Sequence, residues 1–189
     1  MVVVVYSGKG GVGKTSISYS LSKDLNLRYM TNDVTESALR SKSRVYSKSI
    51  PLYDNALYDF GGFESSEAYK IAESADIVIV PTICEMNSLF KALLTIRKIK
   101  NKKIIVINTM IDKQKDIEQV RMVIGKHFED IEVLPFRRNQ LLKRSMEEGI
   151  SAYELMKNDK KSFLYKNAFA EYLNILKKVK SFDRNCYKN

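Results

Sequence analysis

The chain has 189 residues, 44% of them hydrophobic and 29% charged, as expected of one soluble globular domain large enough to bury a proper core. Its two cysteines, Cys84 and Cys186, lie far apart and His127 is the only histidine, which argues against a disulfide framework or a zinc site and makes the cytoplasm the expected compartment. No apolar run approaches the roughly 20 residues of a membrane span. The net charge of +10 points to a polyanionic partner, nucleic acid or an anionic membrane surface, with a lysine-rich composition as the competing explanation.

The apolar run 2–6 predicts a buried strand, since a glycine loop follows it at once. That loop reads Gly8-Lys9-Gly10-Gly11-Val12-Gly13-Lys14-Thr15, and residues 16–25, beginning at Ser16, read as a helix. Strand, glycine-rich turn and helix start form the context that a phosphate-binding loop requires. Glycines let backbone N–H groups turn toward an anion, and the helix N-terminus adds unsatisfied N–H groups and partial positive charge. Lys14 is expected on the β- and γ-phosphates and the Thr15 hydroxyl on Mg²⁺.

Lys9 is a second lysine, five positions before Lys14. With it, the segment resembles the deviant Walker A motif of the ParA/MinD family of ATPases. The resemblance implies that Lys9 reaches across a nucleotide-sandwich dimer to the phosphates of the other subunit.

Residues 27–30 predict a second strand, running into Thr31-Asn32-Asp33-Val34. The family ends this strand in Asp-x-Asp. Thr31 stands in the first position, and Asp33 in the second, where the resemblance implies a carboxylate near the γ-phosphate that orients the attacking water. The stretch 41–51 carries Lys42, Arg44 and Lys48 among serines and reads as a basic loop or switch segment. Residues 56–58 predict a brief strand ending at Asp59, then Phe60-Gly61-Gly62. This looks like a Walker B strand with switch II, so Asp59 is the expected metal-shell carboxylate, and Gly61 and Gly62 would let a backbone N–H approach the γ-phosphate.

The remainder alternates. Residues 76–81 predict a strand buried on both faces, and Met86, Leu89, Phe90 and Leu93 a helix face in the core. Residues 103–109 predict another buried strand, Ile117, Val120, Ile124 and Phe128 a helix, and residues 131–134 a last strand closed by Pro135. The pattern predicts one α/β domain spanning 1–189, a single P-loop NTPase unit with a mostly parallel twisted sheet and helices on both faces. Ligands on such sheets sit at the strands' carboxyl ends, where residues 15, 33, 59 and 108 all fall. Asn108-Thr109-Met110-Ile111 lacks the Asn-Lys-x-Asp of a guanine reader. Asn108 resembles the family's adenine-contacting Asn, and Pro135-Phe136-Arg137 its second base-side loop, so Pro135 and Arg137 are expected base-side residues and ATP is favoured over GTP.

The C-terminal third is basic, with Arg137, Arg138, Lys143, Arg144, Lys177 and Lys178 as candidate DNA-phosphate contacts. Leu164, Ala168, Tyr172, Ile175 and Val179 predict one core-facing side of a long helix. The polar end of the chain argues against a compact membrane anchor. The resemblance runs from Val2 to about Gly149. It implies a small ParA-type ATPase that uses ATP and Mg²⁺, dimerises on ATP and binds double-stranded DNA nonspecifically in the nucleoid. A ParB-like centromere-binding partner would stimulate hydrolysis, and the cycle would partition a plasmid or chromosome. Two alternatives stay open: a MinD-like membrane-associated positioning ATPase, and a nucleotide-dependent regulatory module with little turnover.

Overall fold

The computed structural model describes residues 1–32, 44–45, 50–61, 66–100, 103–158 and 162–183. In chain order its elements are β1 (Val2–Tyr6), α1 (Lys14–Asp24), β2 (Arg28–Thr31), β3 (Arg44–Val45), β4 (Ala56–Phe60), α2 (Ser66–Ser74), β5 (Ile77–Thr82), α3 (Met86–Lys98), β6 (Ile104–Ile111), α4 (Gln114–Gly125), β7 (Glu132–Arg137), α5 (Leu141–Glu148), α6 (Ala152–Asn158), a 3₁₀ turn (Ser162–Tyr165) and α7 (Lys166–Lys180). The strands form one sheet in the order β3-β2-β4-β1-β5-β6-β7. Every pairing is parallel, as strands separated by crossover helices must be.

Alternation along each strand sends side chains to two cores. Val3, Val5, Leu57, Ile105 and Ile107 pack against α1, α5, α6 and α7. Val4, Tyr6, Tyr58, Ile104 and Val106 pack against α2, α3 and α4. Both faces being covered, the strands read as continuous apolar runs, and each fully buried aliphatic side chain contributes about 1.5–3 kcal/mol. β1 lies between β4 and β5, so chain segments leave it in both lateral directions. The loop after β1 therefore opens at the switch point of the sheet.

Four expectations change. Arg44–Val45 is a two-residue edge strand on β2, not loop; a strand this short carries no periodicity, and Lys42 and Lys48 lie outside the described residues. β7 continues through Pro135 to Arg137, with Pro135 in register with Asn108. A missing N–H is tolerated because β7 is the last strand of the sheet. Met86 and Phe90 of α3 are 81% and 59% exposed, whereas Leu89, Ala92 and Ile96 are buried, so only one of the two apolar stripes faces the core. Leu164 is 62% exposed. It sits in the 3₁₀ turn before α7, and the helix buries Ala168, Tyr172, Ile175, Leu176 and Val179.

Candidate nucleotide site

The loop between β1 and α1 wraps the start of the helix. Gly13 is the residue before α1 and holds φ 78°, and Gly11 holds φ 76°, a left-handed backbone that side chains with a Cβ resist. No side chain caps α1 and its first turn carries no acid, so its N-terminal N–H groups face outward to an anion. Lys14 is buried, and its Nζ donates to the Lys9 carbonyl oxygen at 2.9 Å. The ammonium is thereby held over the loop.

A cleft of about 360 Å³ opens above, lined by Gly10, Gly11, Gly13, Lys14, Thr15, Ser16, Asp59, Gly61 and Met110. Gly8 and Lys9 stand outside that lining. Gly8 backs onto α3, where a Cβ would lie 3.8 Å from Thr95 Oγ1, and Lys9 is half-buried. Val12 is fully buried and serves the loop through its carbonyl.

Asp59 is buried at the carboxyl half of β4 and accepts a hydrogen bond from the Tyr29 hydroxyl at 2.8 Å. Thr15 and Asp59 offer a hydroxyl and a carboxylate to the same cleft. Among the described residues no cluster of three His, Cys, Asp or Glu forms. One carboxylate and one hydroxyl suit Mg²⁺, which takes hard oxygens and completes its shell with phosphate and water. These residues therefore fit the metal that the sequence implies, with Thr15 and Asp59 as the groups that would hold it.

Sequence reasoning missed Asn32. Its side-chain oxygen accepts the Gly61 N–H at 2.7 Å, joining the segment after β2 to the segment after β4. A Cβ on Gly61 would stand 3.2 Å from that oxygen, so Gly61 is fitted to this contact. Asp33 and Gly62 lie outside the described residues.

The cleft continues over Gly13, Ser16 and Met110 into a second chamber of about 300 Å³, also lined by Ile17, Thr109, Phe136, Arg137, Arg138, Asn139, Gln140, Leu142 and Lys143. Met110 holds φ 55° beside an irregularity in the β6–β7 register. Such a backbone costs about 1–3 kcal/mol in a non-glycine residue and tends to mark a functional position. Arg137 donates through Nη2 and Nε to Glu171 Oε1 at 2.7 and 3.0 Å, and its backbone N–H donates to Oε2 at 2.8 Å. Glu171 holds the guanidinium above its usual range against burial. Among the described residues no carboxylate lines this chamber.

Asn108 does not line it. Thr109 shares the sheet face of Ile105 and Ile107, toward α1, while Asn108 shares that of Ile104 and Val106, toward α3 and α4. Asn108 is fully buried, and its carboxamide has no hydrogen-bond partner among the described residues. The group that reaches the loop is the Thr109 hydroxyl, 3.1 Å from the Val12 carbonyl oxygen. The same parity turns Pro135 away and brings Phe136 in. A one-residue choice on a strand selects the opposite face, so motif matching alone does not say which of each neighbouring pair lines this chamber.

The expected DNA contacts also divide. Arg137, Arg138 and Lys143 line the second chamber. Carboxylates face five of the six: Arg137 with Glu171, Arg138 with Asp112, Lys143 with Glu147, Arg144 with Glu148 and Lys178 with Glu132. Lys177 is exposed on α7.

Comparisons with known proteins agree with this geometry. The sequence model of the CobQ/CobB/MinD/ParA nucleotide binding domain matches residues 3–152. Apo McdA from Cyanothece superposes with TM-score 0.71 at 11% identity, covering 94% of this chain and 98% of that one. MinD from Pyrococcus horikoshii, complexed with Mg-ADP, gives TM-score 0.60 at 15% identity over 98% and 97%. A ParA family ATPase from Chlorobium tepidum gives 0.59 at 14% identity over 91% and 98%. No curated protein sequence matches the chain.

Proposed function

The chain belongs to the CobQ/CobB/MinD/ParA nucleotide-binding family, and from that premise we propose that it is a Mg²⁺-dependent ATPase that dimerises on ATP and positions a cargo on DNA. The observation that carries the proposal is the pair of lysines in one loop, with Lys14 Nζ on the Lys9 carbonyl. Lys14 supplies cis charge to the phosphates. Lys9, off the cleft lining, is free to serve phosphates bound by a second copy. Solved relatives support the ligands: McdA from Cyanothece has an ATP complex and MinD a Mg-ADP complex.

Adenine is the better fit to the second chamber. Guanine presents N1–H and N2–H donors that want a carboxylate, and the lining offers cations and amides. The Asn139 carboxamide is committed to Arg137 O and Leu141 N. Hydrolysis by an in-line water then requires positioning and charge neutralisation, for which Lys14, Thr15 and Asp59 are the candidates and Asp33 is the proposed water-orienting carboxylate. The +10 charge supports nonspecific DNA binding by the dimer in the nucleoid, with a ParB-like partner as activator and plasmid or chromosome partition as the outcome.

Phosphate release should require Mg²⁺, prefer ATP to GTP and rise with DNA and partner. ATP-dependent doubling of mass in light scattering tests the dimer. ATP that binds without turnover or dimerisation under all these conditions would favour the regulatory module.

One observation favours a membrane reading. Phe163 and Leu164 are 71% and 62% exposed at the 3₁₀ turn, with Lys157 and Lys166 exposed on either side, a basic and apolar combination suited to anionic lipid. Liposome sedimentation with ATP separates it from the DNA reading.

A further inference from the structure

We propose that Tyr29 is a positioning residue for the metal carboxylate, acting on Mg²⁺ through Asp59 without touching nucleotide. Tyr29 and Asp59 lie on adjacent parallel strands, β2 and β4, on the sheet face that packs against α1. Tyr29 is 9% exposed and Asp59 2%. The phenol donates to Asp59 Oδ2 at 2.8 Å, which anchors one oxygen of a carboxylate whose residue lines the cleft. A buried carboxylate that loses this donor loses part of its solvation.

The phenol is itself held. Its ring meets Tyr19 of α1 edge-on, at a centroid distance of 6.1 Å and an interplanar angle of 88°. Tyr19 belongs to the helix whose first turn carries Lys14 and Thr15. The relay Tyr19–Tyr29–Asp59 therefore references the metal carboxylate to the same helix that presents the Thr15 hydroxyl. Thr15 is carried by α1 and Asp59 by β4, and the two tyrosines tie these elements together behind the ligands, which is how partners behind metal ligands sustain affinity. Tyr29 does not line the cleft, so its effect must pass through Asp59.

This inference rests on the Mg²⁺-dependent nucleotide site proposed above, and the test keeps the two apart. Fluorescent ATP is titrated onto full-length protein in EDTA, and again across a Mg²⁺ series. If the wild type shows no Mg²⁺ dependence, the metal site itself fails. If it does, Tyr29→Phe should leave affinity in EDTA unchanged and raise the Mg²⁺ half-saturation about tenfold. In an Asp59→Asn background Tyr29→Phe should then change nothing further. A Tyr29→Phe curve superposing on wild type, or an equal shift in both backgrounds, overturns the relay. Should Tyr29→Phe not fold, 3-fluorotyrosine at position 29 keeps ring and hydroxyl. Its ¹⁹F resonance should shift when Mg²⁺ is added to ATP-loaded protein, and a resonance unmoved by Mg²⁺ overturns the proposal.

Discussion

The Thr109 hydroxyl lies 3.1 Å from the Val12 carbonyl oxygen and 3.0 Å from that of Thr82. One side chain on β6 thus ties the phosphate loop to the end of β5, in a fully buried setting. Thr109→Val keeps shape and removes the single O–H that the two carbonyls share. The expected cost is about 1–3 kcal/mol of stability, seen as a lower thermal midpoint. ATP affinity should also fall, because the loop loses its anchor. A variant with wild-type melting and wild-type ATP binding would show that the loop is held by other contacts.

Thr109 also shows what the sequence could tell. The loop, Asp59 and the alternation of strands and helices are legible because each is local: a spacing, a strand end, a periodicity. Which of Asn108 and Thr109 faces the loop depends on register and face, set by Ile105 and Ile107 packing on the α1 side. The same non-local parity exchanged Pro135 for Phe136. Asn32 was invisible for a different reason: its partner Gly61 is 29 residues away, and nothing in an Asn before an Asp announces a contact with a distant backbone N–H. Three of the ion pairs of the basic residues are similarly distant in sequence, as Arg138 with Asp112 is, while Lys143–Glu147 and Arg144–Glu148 are i,i+4 pairs, so composition alone overstated the free charge.

Lys14 and Lys9 should separate by phenotype. Lys14→Ala removes the cis point charge from a buried site, and ATP binding should weaken by about tenfold or more, since each 1.4 kcal/mol of lost interaction is tenfold. Lys9→Ala leaves its own carbonyl in place, so the Lys14 contact at 2.9 Å persists and monomer binding of ADP should survive. ATP-dependent dimerisation and turnover should be lost. Normal dimerisation of Lys9→Ala in light scattering would remove the trans role of this lysine.

Asn32 accepts the Gly61 N–H at 2.7 Å, coupling the residue after β2 to the residue after β4. Asn32→Ala should spare ADP affinity and slow ATP turnover, because the contact bears on segments beyond the phosphate loop. Equal losses for ADP and ATP would place Asn32 in general stability.

Alkaline stability should carry a tyrosine signature. Burial, and then the Asp24 carboxylate that accepts its hydroxyl at 2.6 Å, hold the Tyr172 phenol well above its ordinary 10.0. The folded state keeps the proton that the unfolded chain loses near pH 10. This contribution is therefore complete below pH 10 and is lost as pH rises above it. Burial pushes Tyr19 and Tyr58 the same way. Tyr172→Phe should cost about 1–3 kcal/mol at neutral pH and make the fall in melting temperature above pH 10 shallower. An unchanged alkaline slope would assign the effect to the other tyrosines.

DNA binding, if the proposed function holds, should map to the outer face of α7. Lys166, Lys177 and Lys180 are exposed there, whereas Arg137, Arg138 and Lys143 line the second chamber. Charge reversal at Lys177 and Lys180 should therefore weaken duplex binding and leave ATP affinity unchanged. Reversal at Arg137 should damage ATP binding as well, since it breaks the Glu171 pair beside the base chamber. Contacts to phosphates release counterions, so affinity in fluorescence anisotropy should fall linearly with salt on logarithmic axes, with a slope reduced by about 1 for each lysine lost. Two unrelated duplexes should bind alike, and more tightly with ATP than with ADP, because dimerisation presents two copies of the face at once. Reversal at Lys177 and Lys180 that leaves the salt slope intact would move the interface off α7. Absence of binding to either duplex, with sedimentation on anionic liposomes in ATP, would transfer the function to the membrane and the Phe163–Leu164 turn.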